Sequence, residues 1–240
     1  GGSSSINAMI YIRGNKKDYD RWAAAGNDGW SYNEVLPYFI RSEDNERLVN
    51  SYHGTGGLLG VSDQISPNFL SKAFVRSAQQ AGHAYNPDFN GAEQAGTGAY
   101  QVTCRNARRS STARAFLAPS RERSNLTVEI NARVLRVVVE KGRAVGVEYV
   151  VGNGEPKIVR AESEVIVSSG AIGSPRLMLL SGIGPAAELK ALGINVVHDL
   201  PGVGKNLQDH LDSYVVSDLN APLSYDKADA FPRSIVNGLQ

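Results

Sequence analysis

Two glycines, Gly170 and Gly173, follow a short β-branched run and open an apolar turn of helix, a pattern that can hold a nucleotide. Glycine lets the backbone turn sharply and approach a ligand closely. The pattern predicts a buried strand at 165–167 and a helix that Ser174 caps and Gly182 ends. This succession of strand, glycine turn and helix N-terminus presents backbone N–H groups to a phosphate in α/β proteins. Ordinary packing of a strand against a helix is the alternative interpretation.

Side chains that could act as acid, base, nucleophile or metal ligand are few and scattered. Asp209 and His210 are adjacent in sequence, and adjacent side chains do not face each other on a strand or a helix. Cys104 is the single cysteine, which excludes an internal disulfide and favours a free thiol that is buried or half-buried over a nucleophile. His53 stands alone in a glycine-rich stretch that lacks the ending of a phosphate-binding loop. We therefore predict a surface loop there and no metal site.

Residues 105–111 contain three arginines immediately before a predicted helix at 112–118. Such a cluster can be a solvated turn, or it can contact an anion, for example the phosphate of a cofactor. The solvated turn is the favoured interpretation, and the anion contact stays open as the alternative.

The charges of the chain nearly cancel, with 25 Lys and Arg against 24 Asp and Glu over 240 residues. No basic stripe favours a nucleic acid or a membrane surface as partner. No apolar run approaches the roughly 18 residues that span a membrane. Because there is also no secretory apolar region, we expect a cytoplasmic location; the sequence leaves the oligomeric state open.

Periodicity predicts both helices and an antiparallel sheet. Ser31 and Glu34 have the spacing of a capping box at the start of a helix over 32–42. Residues 66–82 show helical spacing of apolar residues. Alternating residues and glycine turns predict a run of antiparallel strands. These strands are expected at 126–130, 133–140, 144–151 and 157–160.

Two stretches resemble the signatures of the glucose–methanol–choline (GMC) oxidoreductases, which are FAD-dependent alcohol oxidases and dehydrogenases. Residues 170–184 resemble the second signature at every fixed position. Residues 1–14 resemble the first signature. The residues that fit it are Gly1, Gly2, Ser3, Ser4, Asn7, Met9, Tyr11, Arg13 and Gly14.

The resemblance implies a set of FAD contacts. In that family the first signature lies along the flavin, and the backbone of the residue matching Val134 lies against the adenine ring. Some members carry a flavin-linking histidine where this chain has Ile6, so we expect FAD to be bound non-covalently. The implied cofactor-binding residues are Gly1, Gly2, Ser3, Asn7, Ala8, Met9, Ile10, Val134, Gly170 and Ala171.

The implied fold class is mixed α+β and α/β: a partial FAD-binding domain of the GMC type with a β-meander, and part of a substrate-binding domain. The expected organisation follows four segments. These are a flavin-contacting segment with helices at 1–50, a pocket cover and the start of the substrate domain at 51–125, the meander, strand and helices of the FAD domain at 126–211, and an incomplete substrate-domain segment at 212–240.

The function that the resemblance implies is oxidation of the CH–OH group of an alcohol, choline or another primary alcohol, by hydride transfer to FAD. No histidine of this chain matches the base that the family uses, so no catalytic residue is assigned. We expect an internal fragment of such an enzyme that is inactive by itself. Two alternatives stay open: an FAD-containing lyase on the same scaffold, and a non-catalytic remnant or binding module.

Overall fold

A computed structural model describes residues 2–213 and 215–220 of the chain. The chain divides into two compact units. Residues 2–126 form the first unit together with 217–220, and residues 127–216 form the second. Most of the predicted segment 212–240 lies outside the described residues. Among the described residues, no helix has both the length and the apolar character that crossing a membrane requires.

The first unit contains three α-helices and two pairs of short strands in its described part. The helices are α1 (Lys16–Ala24), α2 (Tyr32–Ser42) and α3 (Phe69–Gln80). The strands are β1 (Glu43–Asn45), which pairs in parallel with β2 (Leu59–Val61), and β3 (Cys104–Arg105), which pairs antiparallel with β4 (Arg108–Arg109). Short 3₁₀ and π turns occupy Gly2–Ser5, Ala113–Leu117 and Ala118–Ser120.

Helix α2 begins and ends where the sequence predicts. The Glu34 carboxylate accepts hydrogen bonds from the Ser31 N–H (3.0 Å) and hydroxyl (2.5 Å), which confirms the capping box. The Ser31 hydroxyl and N–H lower the pKa of Glu34 because they stabilise its charged form. Trp22 of α1 lies edge-on to Trp30, with 5.8 Å between ring centroids. Aromatic packing of this kind stabilises the junction between α1 and α2.

The second unit is built on the predicted meander. Its strands are β5 (Ala132–Glu140), β6 (Arg143–Val151) and β7 (Lys157–Arg160), antiparallel in that order. After them come α4 (Gly170–Leu180), β8 (Ile183–Gly184), α5 (Ala186–Ala191) and β9 (His198–Asp199), with β8 and β9 parallel. Helix α4 packs against β5. The buried apolar side chains of this unit are Val137, Val138, Val150 and Leu189.

Two predicted strands of the second unit do not form. Residues 126–130 and 165–167 form no strand and no β-ladder with any described residue, and Ile166 is 78% exposed. A β-branched run becomes a strand only where a neighbouring backbone supplies the ladder hydrogen bonds. Both predictions are therefore wrong for the described residues, although the residue types fit a strand.

Helix α4 begins five residues earlier than the sequence predicts. Its first residue is Gly170, and its N-cap position is Ser169 rather than Ser174. The Ser174 hydroxyl accepts a hydrogen bond at 2.9 Å from the N–H of Ser169, the N-cap residue, so it caps no N–H group of the helix itself. The predicted end is confirmed, because Gly182 follows the helix in the left-handed conformation at φ +79°.

Replacing Ser181 by Ala is expected to lower the free energy of unfolding of the second unit by about 1–3 kcal/mol. The buried Ser181 hydroxyl accepts from the Val137 N–H of β5 at 2.8 Å and donates to the Leu177 carbonyl of α4 at 2.6 Å. Alanine would leave the buried Val137 N–H without an acceptor. Native-state hydrogen exchange of the β5 amides measures the effect. The matched control, replacement of the exposed Ser168 by Ala, should change these opening free energies by less than about 0.5 kcal/mol.

Candidate cofactor-binding site

The N-terminal segment, defined as residues 2–13, starts as a 3₁₀ turn and continues as extended backbone. The change of direction is at Met9, whose φ is +61°. This left-handed conformation costs a non-glycine residue about 1–3 kcal/mol, so the surroundings must hold it. The Met9 N–H donates to the Asn7 side-chain oxygen at 3.1 Å, and the Met9 carbonyl accepts from the Thr103 N–H at 2.7 Å.

One edge of the extended part is fully hydrogen-bonded. The Tyr11 N–H donates to the Gln101 carbonyl at 2.8 Å, and the Arg13 N–H donates to the Asn90 side-chain oxygen at 2.7 Å. The Asn90 side-chain amide donates in turn to the Tyr11 carbonyl at 3.1 Å. Gln94 closes the row by donating to the Arg13 carbonyl at 3.0 Å. Hydrogen bonds from the rest of the first unit thus hold the backbone of every second residue here, Met9, Tyr11 and Arg13.

The opposite edge of the same stretch is open. The backbone N–H and C=O groups of Ile10 and Ile12 have no hydrogen-bond partner among the described residues. The side chains of Ile6, Ile10 and Ile12 are exposed. An edge with alternating donors and acceptors beside apolar side chains suits a flat heteroaromatic group, which has polar edges and apolar faces.

Arg109 of β4 fastens the turn at the start of the N-terminal segment. One nitrogen of its guanidinium donates to the Ser4 carbonyl (3.2 Å), the Asn7 carbonyl (2.7 Å) and the Asn7 side-chain oxygen (2.8 Å). The Thr112 N–H donates to the Ser4 hydroxyl at 3.0 Å. The predicted arginine cluster therefore does more than form a solvated turn, because one of its members orients the backbone of the candidate site.

The other arginines of the cluster border a cavity of about 430 Å³. Arg105 donates to the Asp44 carboxylate at 2.7 Å. The guanidinium groups of Arg108 and Arg114 also line the cavity and have no partner among the described residues. An anion contact at this cavity stays a prediction.

In the second unit, the predicted site residues Gly170 and Ala171 form the first turn of α4. Gly170 has φ +84°, and a Cβ atom added there would meet nothing within 4 Å. The helix N-terminus has no side-chain cap from Ser169, so its first N–H groups remain available to an anion. Val134 lies in β5 beside a β-bulge, where the register shifts between Val134 and Arg136.

Six of the predicted cofactor-binding residues lie in the N-terminal segment of the first unit. They are Gly2, Ser3, Asn7, Ala8, Met9 and Ile10. Val134, Gly170 and Ala171 belong to the second unit, and Gly1 lies outside the described residues. Among the described residues, no group of His, Cys, Asp and Glu could hold a metal ion.

Two further predictions from the sequence concern Cys104 and His53. Cys104 is a free, buried thiol, as expected. The predicted loop is present at 54–58, has exposed residues and leads into β2, but His53 at its start is buried, with only 2% of its surface exposed. Both of its ring nitrogens contact carboxylates, at 2.8 Å from Glu43 and 3.0 Å from Asp88. The sequence gives no signal for these partners, which are 10 and 35 residues away along the chain.

The family follows from comparison with known proteins. A family model described as GMC oxidoreductase matches residues 1–212. The chain belongs to the GMC oxidoreductase family. It is 47% identical over 239 residues, 98% of its length, to an alcohol dehydrogenase (acceptor) of Pseudomonas putida. It is 45% identical over 240 residues, its whole length, to a mitochondrial choline dehydrogenase of Homo sapiens. The chain spans about two fifths of the length of these relatives, 43% and 40% respectively.

Solved structures with a similar fold support the same assignment. Pyridoxine 4-oxidase from Mesorbium loti is 35% identical, with a TM-score of 0.81 over 88% of this chain and 42% of that one. An FAD-dependent oxidoreductase from Chaetomium thermophilum is 30% identical, with a TM-score of 0.88 over 99% of this chain and 44% of that one. The predicted family and the predicted mixed fold class are confirmed.

Membership of the GMC family implies FAD as the cofactor, and the residues present fit that molecule. FAD offers a flat ring system with polar edges and a pyrophosphate. In the first unit, the open edge at Ile10 and Ile12 suits the ring. Gly2, at φ +56° with no atom within 4 Å of an added Cβ, leaves room for close approach.

Proposed function

We propose that this GMC family chain forms the cofactor-contacting part of an FAD-dependent oxidoreductase that acts on the CH–OH group of a small alcohol. The observation that carries the proposal is the N-terminal segment, which is hydrogen-bonded along one edge and open at Ile10 and Ile12 along the other. Relatives named alcohol dehydrogenase and choline dehydrogenase support an alcohol as substrate.

Within this proposal, residues 1–10 lie along the flavin, the backbone of Val134 meets the adenine ring, and Gly170 and Ala171 face the cofactor. FAD binds non-covalently, because the exposed side chain at Ile6 is an alkyl group and cannot form the linkage that a histidine could. We also propose a cytoplasmic location, since the chain has a single cysteine and forms no internal disulfide. Cell fractionation tests the location.

FAD, when bound, supplies the acceptor for a hydride from the alcohol carbon. The chain's own contribution is to position the cofactor and to exclude water from it. Backbone groups of Ile10 and Ile12 offer fixed donors and acceptors, which need no reorganisation during the reaction. The exposed isoleucine side chains keep water from the flavin face. No residue of the chain is assigned as the base, so we expect the 240-residue chain alone to give no turnover.

Anaerobic mixing of the encoded full-length protein, loaded with FAD, with choline or another primary alcohol tests the function. Loss of the visible flavin absorbance on mixing is the expected result, because only a redox reaction reduces the flavin. An FAD-containing lyase would bind the cofactor and leave the absorbance unchanged. Absence of FAD binding would contradict the proposal and leave a binding module as the function.

Replacing Arg109 by Met is expected to weaken FAD binding about 10- to 100-fold. Loss of charge-assisted hydrogen bonds to Ser4 and Asn7 frees the turn that aligns the N-terminal segment. Such bonds contribute about 1.5–3 kcal/mol, and 1.4 kcal/mol corresponds to tenfold in affinity. Titration of flavin fluorescence with the full-length protein measures the dissociation constant.

Arg108 provides a matched control on the same strand, because its guanidinium has no partner among the described residues. The replacement of Arg108 by Met should leave the affinity for FAD within about twofold if Arg109 acts by positioning. If the Arg108 variant loses as much affinity as the Arg109 variant, the cluster instead contacts a cofactor phosphate directly.

A further inference from the structure

Four ionisable side chains in the first unit form a continuous chain of alternating charge. Arg13 donates to the Glu43 carboxylate at 2.7 Å. The other Glu43 oxygen lies 2.8 Å from His53 Nδ1, and His53 Nε2 lies 3.0 Å and 3.1 Å from the two Asp88 oxygens. The side chains of Glu43 and His53 are fully buried, and that of Asp88 is 19% exposed. We call these four residues the charge cluster.

The geometry fixes the charge of His53. An ionised carboxylate only accepts hydrogen bonds, so a nitrogen that faces one must carry a proton. Both ring nitrogens of His53 face carboxylates, and hydrogen bonding on both sides therefore requires the imidazolium. With a neutral ring, the buried carboxylates of Glu43 and Asp88 would face only the charge of Arg13. With the imidazolium, the cluster is electrically balanced, which buried charges require.

The pKa of His53 agrees with this assignment. Burial by itself lowers the pKa, because it disfavours the charged ring, but the hydrogen bonds and charges of Glu43 and Asp88 outweigh it. The net direction is a pKa above the usual value of about 6.5.

The remaining polar groups packed on the cluster complete its surroundings. The Asn45 side-chain amide donates to Glu43 at 2.7 Å and to the Gln101 side-chain oxygen at 2.8 Å. These two bonds use both amide hydrogens, so none is left to donate to His53 Nδ1, which lies 3.3 Å from the same nitrogen. The Tyr11 and Tyr32 hydroxyls and the Tyr52 carbonyl face Arg13. The Gly54 N–H faces Glu43, and the Asn90 N–H faces Asp88. Gln101 connects Asn45 to Asp63, which forms an exposed ion pair with Arg47. The only cationic groups in direct contact with the two cluster carboxylates, among the described residues, are Arg13 and His53.

His53 is connected to the N-terminal segment by two routes. The first runs through Glu43 to the side chain of Arg13. The second runs through Asp88, whose side chain accepts from the Asn90 N–H at 3.0 Å, and Asn90 binds the backbone of the N-terminal segment. One imidazolium therefore joins the N-terminal segment, β1 and the loop at 86–94 at a single point.

We propose that charged His53 is a positioning residue: it clamps the 86–94 loop and the N-terminal segment together, and loss of its proton releases both. The inference concerns the first unit itself and does not depend on the proposed catalytic function. Since the folded form holds the proton more tightly, the stabilisation is complete below about pH 6.5. It is lost as the pH rises through the raised pKa of His53.

The protonation state is tested first, by nitrogen-detected NMR of the histidine rings in the full chain. At about pH 6.5 to 7, the expected signature of His53 is two protonated ring nitrogens that lose a proton only above the usual range of a histidine side chain. Replacement of His53 by Gln assigns the signal. A His53 ring with one bare nitrogen at pH 6.5 would overturn the proposal, whatever the result of the variants.

The clamp is tested by hydrogen exchange of the hydrogen-bonded backbone amides of Tyr11, Arg13, Asp88 and Asn90, corrected for intrinsic exchange rates. Protection should fall by up to about tenfold per pH unit between about pH 6.5 and the raised pKa of His53. In the Asp88→Asn variant, which keeps the partly exposed position polar, this protection should already be lower and less dependent on pH. His83→Gln is the matched control. Equal pH dependence in wild type and Asp88→Asn, or an equal loss in His83→Gln, would contradict the clamp.

Discussion

Replacing Arg13 by Met is expected to lower the free energy of unfolding of the first unit by about 3–5 kcal/mol, because it removes one partner of a buried ion pair. The Arg13 side chain is 3% exposed and that of Glu43 is fully buried. Methionine fills similar space without the charge. The variant leaves Glu43 and Asp88 with a single positive partner, so the buried cluster gains a net negative charge.

Urea unfolding followed by tryptophan fluorescence measures this loss, since both tryptophans, Trp22 and Trp30, lie in the first unit. The matched control replaces Arg21 by Met, which breaks an exposed ion pair with Asp18 and should cost less than about 1 kcal/mol. Similar losses for the Arg13 and Arg21 variants would contradict the assigned role of the buried pair.

A double variant separates charge from packing. Adding Glu43→Gln to Arg13→Met removes both members of the pair and leaves His53 with Asp88. The two changes together should cost clearly less than the sum of the single changes, with a coupling of about 1–3 kcal/mol. Strict additivity would mean that Arg13 stabilises the unit independently of Glu43, for example through its cation–π contact with the Phe39 ring.

Replacing Gly182 by Ala is expected to destabilise the second unit by about 2–5 kcal/mol, for two separate physical reasons. The residue has φ +79°, which costs an alanine about 1–2 kcal/mol. An added Cβ would also overlap the Asn195 carbonyl oxygen and lie 3.1 Å from the Val197 nitrogen. Overlap of this kind adds about 1–3 kcal/mol.

Gly193 supplies the matched control for Gly182. It has a similar φ of +70°, but a Cβ there would meet nothing within 4 Å. The replacement of Gly193 by Ala should therefore cost only the conformational part, about 1–2 kcal/mol. Hydrogen exchange of the β8 and β5 amides measures both variants. Equal losses would show that the close approach of residues 195–197 to Gly182 contributes nothing.

Local sequence determined the elements whose stabilising contacts are close in the chain. The capping box of Ser31 and Glu34 joins residues three apart, and it placed the start of α2 correctly. The turn at Lys141 and Gly142 joins two adjacent strands, and it placed the β5–β6 hairpin. The predicted strand at 165–167 failed because a strand needs a partner backbone, and no described residue supplies one.

Sequence alone also determined the family, because the residues at 1–14 and 170–184 match its two signatures, and the comparisons confirmed the assignment. Only the tertiary structure decided how the N-terminal segment is held. The hydrogen bonds of Arg109 to residues 4 and 7 span 102 to 105 positions, and His53 meets Asp88 across 35. Periodicity and spacing report on neighbours along the chain. Contacts between distant charged residues depend on the folded backbone. This is why the sequence predicted a solvated turn where Arg109 anchors the N-terminal segment, and did not predict that His53 is buried.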